Sequence, residues 1–251
     1  MSSAITILEH LSFNAWPALQ TLVQDDWLLR FAQGYTKRAN SVNALARTAP
    51  APEAGLQRRI AAAEALYARQ GIRCIFRMSP LMDPEVGRLL EARGWAAFEE
   101  SLTMTADLDP GCDMPAGVEV AAARADEWSR GYMAFNGVAP ERQAIHDRML
   151  DSIVPEAGFA LARDAAGAPA AFGLGVVERG YVGLFDIVSD PGQRRAGHGQ
   201  RLVAGLMAWG HARGATRAYL SVLATNQQAI ALYAKLGFRE AYRYHYRAAL
   251  V

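Results

Sequence analysis

Lysine is almost missing from this 251-residue chain: Lys37 and Lys235 are the only two, so nearly all of its 26 basic residues are arginine. Together with the many alanines this reads as a compositional bias of the genome and carries no functional signal. Cysteine is as scarce. Cys74 and Cys112 are too few for a disulfide framework and lack metal-ligand spacing, so a reducing compartment is expected, with a single bridge between them left open. Charge of one sign is missing too, since 26 basic residues face 25 acidic ones and the formal net charge is +1. Nothing in that balance argues for nucleic acid or an anionic membrane as the main partner. No stretch approaches the length needed to span a bilayer, and Met1 to His10 has no basic start followed by an apolar run. No His, Cys and acidic cluster at ligand spacing occurs, so no metal is expected. These readings predict a soluble, cytoplasmic protein. With 51% hydrophobic and 20% charged residues the chain is globular, and its length suits one large domain or two small ones.

The last third is the most readable. Tyr181 to Ser189 is a short, nearly continuous apolar run ended by Asp190-Pro191-Gly192, which predicts a buried strand running into a turn. After the loop Gln193 to Gly199 the period changes, with Leu202, Val203, Leu206 and Met207 at helical spacing. Arg217 to Leu223 predicts a second strand, and Asn226 caps a short helix from Gln227 to Leu236 that Gly237 closes. The aromatic tail from Phe238 to Tyr246 reads as strand. Upstream, strands are predicted at Gly117 to Val120, Gly158 to Arg163 and Ala170 to Val177, and helices at Ala125 to Phe135 and Glu141 to Val154.

The first third repeats this pattern. Placing Gly94 on Gly237, an offset of 237 − 94 = 143, also puts Gly71 on Gly214, Asp83 on Asn226 and Trp95 on Phe238 without a gap. The identities alone are few, and the ungapped order helix, strand, helix, strand carries the inference of a tandem repeat. The fold class expected is α/β, or α+β: a mixed sheet with flanking helices in two tandem modules, residues 1–110 and 117–251, joined by the turn-rich stretch Asp109 to Pro115. Opposite Arg194 to Gly199 the first module has Ala51 to Leu56, without paired glycines or arginines, and opposite Tyr233 it has Leu90. It keeps the fold and loses the reactive groups.

A glycine-rich turn at a helix start offers unpaired N–H groups and the positive end of the helix dipole to an anion. Gly197 and Gly199 leave room for a pyrophosphate, with Arg194 and Arg195 beside it. A tight strand-to-helix turn with no ligand is the plain alternative. The dinucleotide fingerprint fails because position 202 is Leu, and no Gly-Lys-Ser/Thr is present for a P-loop.

Arg194-x-x-Gly197-x-Gly199 followed by Asn226-Gln-Gln-Ala-Ile-Ala-Leu-Tyr-Ala-Lys-Leu-Gly-Phe238 resembles the GCN5-related N-acetyltransferase (GNAT) superfamily, over roughly Gly117 to Val251. The resemblance implies that acetyl-CoA is the cosubstrate and an amine the acceptor. By that likeness, Arg194, Arg195, Ala196, Gly197, His198, Gly199 and Gln200 hold the pyrophosphate, chiefly through backbone groups. Ile187, Val188 and Ser189 pair with the pantetheine arm and offer an N–H to the thioester oxygen. Asn226 contacts the pantetheine, and Tyr233 points at the sulfur as general acid, with an ordinary core aromatic as its alternative. The His198 side chain is expected to face solvent or phosphate.

The base is less determined. Asp186 is the catalytic candidate and Glu178 a weaker one, each with a structural role as its alternative; His245 either lines the acceptor cleft or faces outward. N-terminal acetyltransferases of ribosomal proteins, which resemble this segment, carry Glu where Ser221 stands, which argues against a protein N-terminus as acceptor. The block from Asn14 to Asn43 resembles the opening of bacterial tandem GNAT proteins with a degenerate first module. There, Arg30, Tyr35, Arg38, Asn40 and Asn43 either help form an acceptor cleft or brace a strand-turn-strand hairpin, with bracing the expected role. A CoA-binding sensor without turnover is the rival reading, protein lysine is an alternative acceptor, and a homodimer is left open.

Overall fold

Among the residues that the computed structural model describes, 4–109, 111 and 113–249, eleven strands form one mixed sheet. Pro110 and Cys112 of the expected linker lie outside those residues, and so does any bridge to Cys74. The first half runs α1 (Ala4–Ala15), β1 (Gln20–Gln24), β2 (Trp27–Phe31), a 3-10 turn (Lys37–Ala39), β3 (Val42–Ala44), α2 (Glu53–Arg69), β4 (Ile75–Met78), α3 (Pro84–Ala92) and β5 (Ala96–Asp107). The second runs β6 (Val118–Ala121), α4 (Asp126–Asn136), α5 (Pro140–Asp151), β7 (Glu156–Arg163), β8 (Pro169–Glu178), β9 (Tyr181–Ser189), α6 (His198–His211), β10 (Arg217–Leu223), α7 (Gln227–Lys235) and β11 (Arg239–Ala248).

The apolar runs read from the sequence at 181–189 and 217–223 are the whole of β9 and β10. Both lie in the sheet interior, where neighbours on each side and helices on each face leave no place for polar alternation. The offset of 143 carries α3 onto α7 residue for residue. Each of these helices has an N-cap that accepts from its own first turn, Asp83 from Glu85 N–H and Asn226 from Ala229 N–H.

The repeat does not fold as two closed units. The strand order is β1-β2-β3-β4-β11-β5-β10-β9-β8-β7-β6. β11, from the second half, lies between β4 and β5 of the first, and β5 in turn lies against β10 of the second. Each half has handed its last strand to the other's side of the seam, with the antiparallel β5/β11 pair as the common axis.

Side chains of β9 alternate between two cores. Val182 and Leu184 pack with α6, Tyr233 and Phe238, while Phe185 packs with α1, α4 and α5. Across the seam, fully buried Glu9 of α1 pairs with Arg77 of β4 and accepts from the Tyr242 hydroxyl of β11. Removing one member of such a buried set strands a charge, so it fixes how α1 sits on the exchanged strands.

Candidate functional site

One cavity of about 1120 Å³ opens where β9 and β10 diverge above the sheet. They are parallel neighbours paired only from Arg217↔Tyr181 to Leu220↔Leu184, and beyond that point the strands separate. A bulge in β9 widens the gap. Phe172 pairs with Val188 and Leu174 with Phe185, so the one intervening residue of β8, Gly173, faces two of β9, Asp186 and Ile187. Asp186 takes a left-handed φ of 50° there, an unusual conformation for a non-glycine residue.

At one end lies the glycine-rich turn that starts α6. Asp190 Oδ1 accepts from Gly192 N–H at 2.8 Å and shapes the turn after β9. Gly197, at φ 81°, is the N-cap of α6. The first backbone bond into that helix runs from Arg201 N–H to Gly197 O at 3.0 Å. The N–H groups of His198, Gly199 and Gln200 precede it and have no intrahelical acceptor. A Cβ on Gly199 would stand 2.9 Å from Ser189 Oγ, so glycine lets the helix start lie close against the end of β9. Arg194 and Arg195 are exposed at the rim.

The structure brings Asp186, Ile187, Ser189, every residue from Arg194 to Gln200, Asn226 and Tyr233 to this cavity. Val188 is the exception: strand alternation turns its side chain into the core on the other face. His198 also departs from expectation. Its ring is buried, with Nε2 bonded to Gln193 Oε1 at 2.9 Å and Nδ1 accepting from Arg201 at 3.1 Å. It ties the loop to the helix, because a side chain at the first helical position is directed back over the preceding turn.

Tyr233 is 8% exposed and stands edge-on to Phe238 at 5.9 Å. Among the described residues its hydroxyl makes no hydrogen bond, and the residue lines the cavity. Burial pushes its pKa up to about 12, so the phenol stays protonated at neutral pH. Asn226 uses Oδ1 for its cap, 3.1 Å from Ala229 N–H, and leaves its NH₂ to the cavity.

Asp186 is held at the other end. Tyr132 donates its hydroxyl to Oδ1 at 2.9 Å, and His146 Nε2–H donates to Oδ2 at 2.7 Å. Asn136 Nδ2 donates in turn to the Tyr132 oxygen at 3.0 Å. The His146 ring is fully buried, stacked on Tyr132 at 4.8 Å with Tyr35 and Trp16 beside it, and its Nδ1 has no partner. Desolvation and the Asp186 charge raise the Tyr132 pKa far above that of a free phenol. Tyr132 and Asn136 share a helical face, four residues apart, which was visible in sequence. His146 comes from a different helix, and no spacing pointed to it.

Other candidates fall elsewhere. Glu178 ends β8 outside this cavity, accepting from Asn14 and pairing with Arg179. His245 alternates with buried Tyr244 and Tyr246 on β11 and does not line the cavity. In the first half, Arg30 is spent on the carbonyls of Phe13, Trp16 and Arg38, and Asn40 on the backbone of Ala32, Gly34 and Thr36. Asn43 donates to Ser41 O, and Tyr35 packs on His146. These four brace, as expected. Arg38 alone of that set reaches the cavity, where Ser221 of β10 also lies.

Solved structures share this architecture across the whole chain. A GCN5-related N-acetyltransferase from Kribbella flavida superposes with a TM-score of 0.73 at 17% identity, covering 100% of this chain and 97% of that one. A tandem GNAT protein from the clavulanic acid biosynthesis pathway gives 0.65 at 16% identity, over 96% and 87%. The fold is therefore the GNAT fold. Residues 2–247 match the family described as "Probable histone acetyltransferase Rv0428c C-terminal", and the chain belongs to that family. "Uncharacterized N-acetyltransferase YobR" of Bacillus subtilis (strain 168) is 28% identical over 245 residues, 96% of each chain.

Proposed function

We propose that this protein transfers the acetyl group of acetyl-CoA to an amine by direct attack, with the chemistry in residues 117–251 and a degenerate first module in 1–110. The observation that carries this reading is the pairing, in one cavity, of an open helix N-terminus with a buried phenol that makes no hydrogen bond among the described residues. The α6 N–H groups and the Arg194 and Arg195 side chains hold the pyrophosphate; β9 from Ile187 to Ser189 aligns the pantetheine, through backbone alone at Val188, and Asn226 steadies it from α7.

The amine arrives as an ammonium ion and gives one proton to Asp186, whose carboxylate oxygens each keep a lone pair beyond the bonds from Tyr132 and His146. The freed nitrogen attacks the thioester carbon, and the carbonyl oxygen gathers charge beside backbone donors of the β9 bulge. As the carbon–sulfur bond breaks, the thiolate takes the Tyr233 proton, the second proton leaving the amide nitrogen returns to the Tyr233 oxygen, and Asp186 gives its proton to solvent. The products are an N-acetylated amine and CoA.

Calorimetry with acetyl-CoA, followed by CoA release across a panel of amines, tests this reading. Binding with turnover of at least one amine is expected. Binding with no acceptor in a broad panel supports the sensor instead, and absence of acetyl-CoA binding overturns both.

A further inference from the structure

Arg38 comes from the first half of the chain, in the 3-10 turn at Lys37–Ala39, yet it lines the cavity of the second. Its neighbour Lys37 is neutralised by Glu99 at 2.9 Å. Arg38 is not: among the described residues no carboxylate lies within ion-pair reach of it and no acceptor takes its side-chain N–H groups. The half-buried guanidinium instead stands over the rings of Trp16 and Phe185, at 5.4 and 5.8 Å. Solvent is partly excluded there, so a charge without a counterion is costly unless a ligand supplies one.

The surroundings strengthen the point. Behind the cavity lies a small recess bordered by Arg30, Arg38 and Arg77, and Arg38, Phe185 and Ser221 border both spaces. Arg30 and Arg77 are 2% and 4% exposed, and the Nε of each has no partner. One buried acid, Glu9, offsets Arg77. Burial first, then repulsion from Arg77, lowers the Arg30 pKa to about 9, with Arg38 adding to it. The region holds more positive charge than the chain balances. It is also preorganised. Asn40 pins the turn, and Arg30 donates to the Arg38 carbonyl at 2.7 Å, so the backbone carrying the guanidinium is fixed before any ligand arrives.

Asp186, the residue after Phe185 on β9, is the anionic group of the same cavity. A cation and an anion therefore line one space. We infer that the acceptor is an amino carboxylate, with its ammonium group at Asp186 and its carboxylate bound by the Arg38 guanidinium; this rests on the N-acetyl transfer proposed above. The planar fork of arginine suits a carboxylate by two parallel hydrogen bonds, and Phe185, which lines the cavity, provides an apolar wall for the carbon atoms between the charges. The first half thereby reads the acceptor while the second performs the transfer.

Amino acids and their amides form matched pairs that differ in the carboxylate alone. Their N-acetyl derivatives are titrated calorimetrically into CoA-loaded protein, and kcat/KM for the free amines is measured by CoA release. The wild-type protein should bind the carboxylate member about tenfold or more tightly than its amide, consistent with a charge-assisted contact of about 1.5–3 kcal/mol. Arg38→Gln should bring the pair to near equality, and Arg38→Lys, which keeps the charge and loses the fork, should fall between. Retained acetyl-CoA affinity certifies the fold of each variant. Equal binding of both members by the wild type overturns the inference without any variant, as does a preference that survives Arg38→Gln. Acetyl-CoA binding with no amino carboxylate bound or acetylated overturns it and leaves acetyl transfer standing. If acetyl-CoA does not bind, the transfer reading fails, and the same titration into free protein still measures the carboxylate preference.

Discussion

Replacing Tyr233 with phenylalanine removes one oxygen atom from a ring that is otherwise fixed. The ring is 8% exposed and packed against Phe238, while the hydroxyl makes no hydrogen bond among the described residues that would be lost. Stability should therefore change by no more than about 0.5 kcal/mol. The reaction loses its proton donor, and general acid catalysis contributes roughly 10²–10⁴-fold, about 3–5 kcal/mol of barrier. Because burial holds the phenol's pKa at about 12, it remains protonated through the whole accessible range. The sign of the pH effect follows. Deprotonation of Tyr233 puts no falling limb in kcat below about pH 10, and Tyr233→Phe lowers kcat by the same factor at every pH from about 6 to 10. The assay follows thiol release at saturating acetyl-CoA with the best amine of the panel, beside a thermal melt of both proteins. A Tyr233→Phe enzyme with unchanged melting and kcat within about threefold of the parent throughout would refute proton donation by this residue.

Three further outcomes are expected. Gly197→Ala forces a side chain into φ 81° at the head of α6, a strain of about 1–2 kcal/mol, and should weaken acetyl-CoA binding about tenfold in calorimetry with little effect on acceptor KM. His146→Ala takes one of two donors from a carboxylate whose side chain is 5% exposed and should cost about 3 kcal/mol in urea unfolding; a loss under about 1 kcal/mol would show that Asp186 does not depend on it. Separating the halves between Asp113 and Met114 should leave neither folded alone by circular dichroism, because each lacks the strand the other supplies, whereas production together should restore the spectrum.

What the sequence disclosed was whatever is local. Runs such as 181–189 and 217–223, the cap at Asn226 and the glycines after each short helix depend on a few neighbouring residues, and these were placed to within a residue or so. The repeat was legible because α3 and α7 use the same capping chemistry at a constant offset. The strand exchange was not, since periodicity tells which face of a strand is buried and nothing about which strand lies alongside. The site divides in the same way. The glycine loop and Tyr233 belong to contiguous motifs, and the structure brings them to the one cavity. The donors to Asp186 come from α4 and α5, and Arg38 comes from a turn more than a hundred residues away; tertiary packing alone assembles them. The His198 ring was misplaced because its glycine neighbours suggested an open loop, while Gln193 and Arg201 draw it inward.

The exchanged strands also bear on how the chain is made. Synthesis delivers β4 and β5 early, but the strand that lies between them is residues 239–248. Through most of translation the first half waits with one edge of β4 and both edges of β5 unpaired, each able to pair with another nascent chain. Closing the sheet depends on contacts of very long sequence separation, which slow folding. Ribosomal pauses or chaperones acting before β11 emerges should therefore govern the yield of this protein more than substitutions that alter only its final stability.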